Sequence, residues 1–320
     1  MESCMTISGV LPGKEETRRN RMLNLEINEY LSRVGIRKIT ELDRALIETY
    51  GPEEGEKHIE KLTELFDQSE ERLVYGAGDT EYLHRQGELV DYLNQSLQMS
   101  LLAASFYDRV FFKRVMEYLL RYDSFWAGDI FDIGCGNGIL TCFLALRHPD
   151  SFVTGLEISS NAVLAARELA EKLQADNVSF VCLEESAGKL RARNGNPACP
   201  DMRQAKCDAL FSCRTVHENV AWRALGEGPK AFVVSAEGQE RRHRQYAKEL
   251  SILLKPEGYL ISVERYEDDG AYAGLIRALE HFGICQVKGT HMQFACRNGD
   301  EAAVFQATAF QKTGGNTAVR

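Results

Sequence analysis

Three glycines at alternate positions, in Asp132-Ile133-Gly134-Cys135-Gly136-Asn137-Gly138, mark the place where the chain most clearly offers chemistry. They follow a short apolar run that reads as a strand, and they open onto a helical pattern. Such a loop turns tightly and presents main-chain N–H groups to a ligand that side chains would hold away. A dinucleotide fingerprint would need a further glycine where this chain has Ile139, so the loop suits a ligand without a pyrophosphate. The next strand pattern closes on Leu156-Glu157-Ile158, about 20 residues further on. In a wound sheet the ends of adjacent strands are neighbours, which sets the Glu157 carboxylate beside the loop. Its two oxygens can accept both hydroxyls of a ribose.

A second chemical cluster is Ser212-Cys213-Arg214-Thr215-Val216-His217-Glu218-Asn219, after a later strand pattern. His217 is the candidate general base there, because an imidazole titrating near neutrality can take a proton from a hydroxyl or an acidic carbon. Tyr82 and His84 are alternative contributors. The basic run Arg241, Arg242, His243, Arg244 reads as the solvated face of one helix. The nine cysteines are scattered. The spacing of Cys199, Cys207 and Cys213 matches no usual zinc pattern, so no metal site is expected, and free thiols in a reducing compartment fit better than disulfides.

The elements that must position these groups fall into two patterns. Residues 20–120 read as helices, with Leu23, Ile27, Tyr30, Leu31 and Val34 at helical spacing and Gly51-Pro52 as punctuation. From Asp129 short apolar runs alternate with helical ones: DIFDIG, TCFLALRH, FVTGLEI, NAVLAARELAEKL, VSFVCL, DALFSC, GYLISVE. That alternation predicts a parallel sheet wound by crossover helices. GICQVKG and AAVFQATAF flank Asn298-Gly299, a pair suited to the tight turn of a terminal antiparallel hairpin. The expected division is a helical module over 1–120, an α/β domain over 121–312 and a tail over 313–320.

With 320 residues, 44% hydrophobic, 27% charged and a mean hydropathy of −0.30, the chain has ordinary globular composition. No apolar run is long enough for a membrane span, and the first twenty residues lack the apolar core of a signal peptide, so a cytoplasmic protein is expected. A net charge of −9 repels phosphate backbones, which makes nucleic acid an unlikely partner.

Taken together, DIGCGNG, LEIS, NVSFVCLEES, CDALFSC and LLKPEGYLISVE resemble the class I S-adenosylmethionine-dependent methyltransferases across 129–265. The resemblance implies a doubly wound, mostly parallel seven-stranded sheet ending in an antiparallel hairpin, with S-adenosyl-L-methionine as cofactor and S-adenosyl-L-homocysteine as product. It implies that Gly134, Cys135, Gly136 and Gly138 lie beneath the methionine part of the cofactor, with Asp132 bracing the loop and facing its amino group. Glu157 would hold the ribose hydroxyls and Ile158 would lie against adenine. Glu184 and Glu185 would stand near the adenine amino group, Cys213 where cofactor and acceptor meet, and Tyr107 as an aromatic closing over the cofactor. In the turn Lys255-Pro256-Glu257-Gly258, Glu257 replaces the family's second glycine. The Asn-Pro-Pro-Tyr type of motif of amide and exocyclic-amine methylases is absent after Ser212. The expected acceptor is a small molecule methylated at oxygen or carbon. A protein acceptor, a cofactor-binding module without turnover, and a homodimer formed through the helical module are the alternatives.

Overall fold

The structure is a computed structural model that describes residues 14–73, 88–186, 189–192, 205–215, 236–266, 269–298 and 301–314. The helical part begins with α1 (Lys14–Val34), α2 (Leu42–Tyr50) and α3 (Pro52–Leu73). Gly51 takes φ 84° between α2 and α3, and Pro52 occupies the first turn of α3, where its missing N–H is no loss. A helical stretch at 88–93 leads to α4 (Leu97–Ala103), whose first turn is capped by Ser96 accepting the Met99 N–H. One π-helical turn, Ala104–Asp108, interrupts the path into α5 (Arg109–Arg121).

The α/β part runs β1 (Asp129–Ile133), α6 (Ile139–Arg147), β2 (Phe152–Glu157), α7 (Ser160–Leu173), β3 (Val178–Ser186), β4 (Lys189–Ala192) and β5 (Cys207–Cys213). It continues with α8 (Ala236–Leu253), β6 (Leu254–Arg265), α9 (Asp269–His281), β7 (Ile284–Gln286), β8 (Met292–Asn298) and β9 (Glu301–Lys312). The strand order is β4-β3-β2-β1-β5-β6-β9-β7, with β8 also paired to β9. β1 is flanked in parallel by β2 and β5. The winding therefore reverses at β1, which opens the crevice where wound sheets bind ligands.

The wound parallel strands and the terminal antiparallel hairpin are present, and among the described residues the sheet has nine strands where seven were expected, four of its pairings parallel and four antiparallel. One addition is β4, which folds back antiparallel on the end of β3. The other arises because the edge beside β9 is broken in two. β7 pairs with 310–312 and β8 with 301–307 of the same strand. Between them the chain turns at Gly289, φ 80°, and the Thr290 hydroxyl accepts the Ala309 N–H at 3.2 Å in place of a ladder partner. The hairpin arm before Asn298 is thus Met292–Asn298, and GICQVKG supplies only the short outer strand.

The sheet buries both faces with a period of two. Ala209, Phe211, Ile261, Val263, Ala307 and Ala309 belong to a core shared with α1, α5, α6 and α7. Leu210, Leu260 and Phe310 belong to the opposite core under α8 and α9. The first helix is part of that main core: Ile27, Tyr30, Leu31 and Val34 are buried among residues of the α/β part. Its junction with α7 is reciprocal. Lys172 donates to Val34 O at 2.7 Å and Arg33 donates to Leu173 O at 2.6 Å, so each helix's basic side chain satisfies the other's terminal carbonyl.

Candidate functional site

The glycine loop is stitched to the end of β2 by its own backbone. Gly134 and Cys135 both donate to Leu156 O, at 2.8 and 3.2 Å. Gly134 has φ 68°, and a Cβ there would lie 1.9 Å from Thr215 Cγ2. Gly136 has φ 52°, and a Cβ there would meet nothing within 4 Å. One glycine is therefore required by close packing, and the next borders open space that a ligand can fill.

Glu157 is tied to that open side. Its Oε2 accepts the Gly136 N–H at 2.9 Å, while Oε1 accepts the N–H groups of Ile158 and Ser159 at 2.7 and 2.9 Å. A half-buried carboxylate held by three main-chain donors has a fixed orientation, with one acceptor site remaining, on Oε2, for a ligand hydroxyl. Asp132, 2% exposed, accepts the Thr141 hydroxyl at 2.6 Å. Burial pushes its carboxyl up to about 7; the Thr141 hydrogen bond opposes the rise and the nearby Glu157 adds to it. A buried acid poised there gains a strong partner from any ligand ammonium group.

These groups open onto one cleft of about 770 Å³. Asp132, Gly134, Cys135, Gly136, Glu157, Cys213 and Tyr107 all line it. Gly138 instead caps α6 at φ 76° and packs toward Ala166 and Phe180. Ile158 is 39% exposed next to Glu157 and does not line the cleft. Glu184 and Glu185 lie on β3, in register with Arg191 and Leu190 of β4; their side chains lie outside the described residues. His217, Tyr82 and His84 are also outside the described residues. Burial pushes the Cys213 thiol well above its usual range, which keeps it neutral. Tyr107 sits on the π-helical turn against Phe106 and Phe66, and burial raises its hydroxyl to about 12. Every residue of that turn lines the cleft, and π-turns are frequent at functional sites.

Several groups at the site carry no sequence signal. Asn137 donates to Ser100 Oγ at 2.8 Å, and Ser100 donates to Asn94 Oδ1 at 2.9 Å, so α4, braced by Asn94 from the segment before it, clasps the glycine loop. Ser159 donates to Asp91 at 2.6 Å, closing the same segment over the end of β2. Behind Thr215, the fully buried Glu264 accepts the Ser212 hydroxyl at 2.6 Å, and Ser212 also meets Tyr246 Oη at 2.5 Å. His243 corrects the reading of its basic run as a solvated face. It is 2% exposed, with Nε2 2.8 Å from Tyr266 Oη, because α8 turns that side toward the sheet. Among the described residues no group of three His, Cys, Asp or Glu is arranged to hold a metal ion, and no helix is long and apolar enough to cross a membrane.

A wound sheet carrying this loop and acidic strand end defines a cofactor-binding α/β domain, and comparison with known proteins supplies its family. Residues 127–278 match a methyltransferase domain family. That stretch, just under half of the chain, is a methyltransferase domain by this match, in keeping with the class I S-adenosylmethionine-dependent resemblance of its motifs. It is 35% identical over 75 residues to a malonyl-[acyl-carrier protein] O-methyltransferase of Acetivibrio thermocellus, covering 23% of this chain and 25% of that protein. It is 33% identical over 81 residues to a ribosomal RNA small subunit methyltransferase C of Pseudomonas putida, covering 25% and 24%. The chain thus spans about a quarter of the length of these curated relatives. Among solved structures, a magnesium protoporphyrin IX methyltransferase from Synechocystis with bound SAM matches 85% of this chain and 97% of its own, at 15% identity and a TM-score of 0.42. The expectation that nucleic acid is an unlikely partner gains no support from a relative named for ribosomal RNA.

Proposed function

We propose that this protein binds S-adenosylmethionine in the cleft and transfers its methyl group to a small-molecule acceptor, at oxygen or carbon. The observation that carries the reading is the Glu157 carboxylate bound to the Gly136 N–H on the wall of the cleft. The residues suit the cofactor: open space over Gly136, a carboxylate oriented for a ribose, and a buried acid with its pKa near 7 for an ammonium group. When bound, the cofactor supplies a sulfonium methyl group for in-line displacement, so the chain's task is alignment and exclusion of water. Glu157 and the loop orient the cofactor; the aromatic side chains of the π-helical turn and α5 shield the reacting end.

In this reading His217 accepts a proton wherever the acceptor must lose one, and Cys213 stands at the meeting point as an uncharged contact. The helical part closes the open side of the sheet and shapes the acceptor's pocket; dimerisation through it is the alternative use. The relative named as an O-methyltransferase is in keeping with oxygen as the receiving atom.

Calorimetric titration with S-adenosylmethionine and S-adenosylhomocysteine tests the cofactor site. Both should bind in the micromolar range. Glu157→Ala should weaken binding by roughly 1–3 kcal/mol, the cost of leaving buried hydrogen-bonding groups unpaired. Normal binding by that variant would overturn the site. S-adenosylhomocysteine formed only in the presence of acceptor separates turnover from a binding module, and uptake of label into protein separates a protein acceptor from a small one.

A further inference from the structure

The chain leaves β5 through a strained residue. Arg214, directly after the strand, adopts φ 59°, a left-handed conformation unfavourable for any residue with a Cβ. Such strain persists where surrounding contacts over-determine it. Here the Arg214 N–H donates to Val263 O at 2.9 Å, and the guanidinium is ion-paired with Asp108 at 2.7 Å and lies 5.2 Å from the Phe111 ring centroid. The turn redirects the next residue. Along a strand, side chains alternate between faces, so a straight continuation would put residue 215 on the side of Cys213, which lines the cleft. Thr215 instead meets Ser212, whose side chain faces the opposite way, at 2.6 Å.

Both ends of the Thr215 side chain are then engaged. Its hydroxyl enters a buried cluster in which Ser212 donates to Glu264 Oε1 at 2.6 Å, and Thr215 and Tyr246 reach Ser212 at 2.6 and 2.5 Å. A serine hydroxyl has one proton and two lone pairs. With that proton given to Glu264, Thr215 and Tyr246 are the donors, and all three hydroxyls point toward one carboxylate. Burial and the nearby Glu264 hold the Tyr246 hydroxyl well above its usual range, so it stays a donor. At the other end, the Thr215 methyl carbon Cγ2 is the atom that a Cβ at Gly134 would meet at 1.9 Å. Ser212, Thr215 and Glu264 are all buried, so packed interior and not water stands behind this contact.

Resting on the methyltransferase reading, we propose that Arg214 and Thr215 are positioning residues for the cofactor. The left-handed turn at Arg214 swings Thr215 behind the glycine loop, the hydroxyl cluster on Glu264 fixes its rotamer, and its methyl group braces Gly134. Gly134 is thereby held between Leu156 O, which accepts its N–H, and Thr215. Two residues on, the Gly136 N–H orients Glu157. Thr215 does not line the cleft and acts on it through Gly134.

The test is calorimetric titration of the whole protein with S-adenosylhomocysteine, at a temperature where circular dichroism shows every variant folded. Thr215→Val removes the hydroxyl and keeps a methyl group against Gly134; it should bind about fivefold or more weakly than the parent, the scale of one lost hydrogen bond. Thr215→Ser keeps the hydroxyl and removes the brace, and should bind severalfold more weakly. Arg214→Gly and Arg214→Val lose the same guanidinium, but only glycine takes the left-handed turn without strain, so the glycine variant should bind severalfold more tightly than the valine one. Gly134→Ala should weaken binding much less in the Thr215→Ser background than in the parent, because the colliding methyl group is gone. A contact serving stability alone would lower the unfolding midpoint and leave the affinity of the folded protein intact. Unchanged affinity in either Thr215 variant would therefore overturn the proposal while the cofactor site stands. So would equal binding by the two Arg214 variants, or an equal penalty for Gly134→Ala in the two backgrounds. A parent protein that does not bind S-adenosylhomocysteine would overturn the methyltransferase reading and this proposal with it.

Discussion

Asp132→Asn removes a buried charge while keeping the side chain's volume and an oxygen able to accept the Thr141 hydroxyl. In the folded protein the Asp132 carboxyl titrates near 7, against an ordinary 3.8, chiefly because burial disfavours the anion. Between pH 4 and 7 the unfolded chain has released this proton and the folded chain still holds it. The folded state therefore binds more protons, and its stability falls as pH rises through that window. A difference of about 3 units at about 1.4 kcal/mol each gives a loss of roughly 4 kcal/mol by pH 8. Below pH 4 both states are protonated and the term vanishes. The cofactor-free Asn variant should thus match the parent near pH 4 and exceed it by up to about 4 kcal/mol at pH 8, read by urea unfolding across that range. The same variant should bind S-adenosylhomocysteine more weakly, since it offers no anion to the ligand's ammonium group. In the parent, binding near pH 6.5 should release a proton, seen as a dependence of the calorimetric enthalpy on the buffer, and the variant should show none. A stability difference constant from pH 5 to pH 8 would refute the assignment of a strongly raised Asp132.

Gly134→Ala and Gly136→Ala should part company. At Gly134 the new methyl group collides with Thr215 Cγ2, so melting temperature and cofactor binding should both fall. At Gly136 there is room, so stability should drop by only about 1–2 kcal/mol for the left-handed backbone while cofactor affinity suffers disproportionately. Equal effects of the two on stability would contradict the packing described. Tyr30→Phe removes the hydroxyl that donates to Ile139 O at 2.5 Å, joining α1 to the first residue of α6. It should cost about 0.5–1.5 kcal/mol in urea unfolding with cofactor affinity preserved; no change would show that this hydrogen bond adds nothing to the apolar contacts and the Arg33 and Lys172 hydrogen bonds that hold α1.

Residue types and periods settled much of this molecule before any contact was seen. The switch from helical spacing to short alternating runs at Asp129 determined a wound sheet, because only strands covered on both faces carry such runs. The glycine loop and Glu157 could be placed together because neighbouring strand ends are adjacent whatever the loops do. Glu257 was recognisable as an outsider in its turn, and it adopts φ 63°, a conformation natural to the glycine it replaces. The outward face assigned to His243 failed because a four-residue basic run covers more than one side of a helix turning every 3.6 residues.

Tertiary structure alone decided which distant groups meet. Nothing in the local sequence pairs Asn137 with Ser100, Ser159 with Asp91, or Asp108 with Arg214, since each contact joins elements whose relative placement depends on how the helical part packs on the sheet. The broken edge beside β9 was equally hidden, because Thr290 stands in for a ladder partner only once β9 is beside it. So was the raised pKa of Asp132, which depends on how deeply β1 and α6 bury it. Spacing along the chain fixes which face or strand end a residue occupies; burial, charge pairing and the shape of the cleft arise from several elements at once and exist only in the folded molecule.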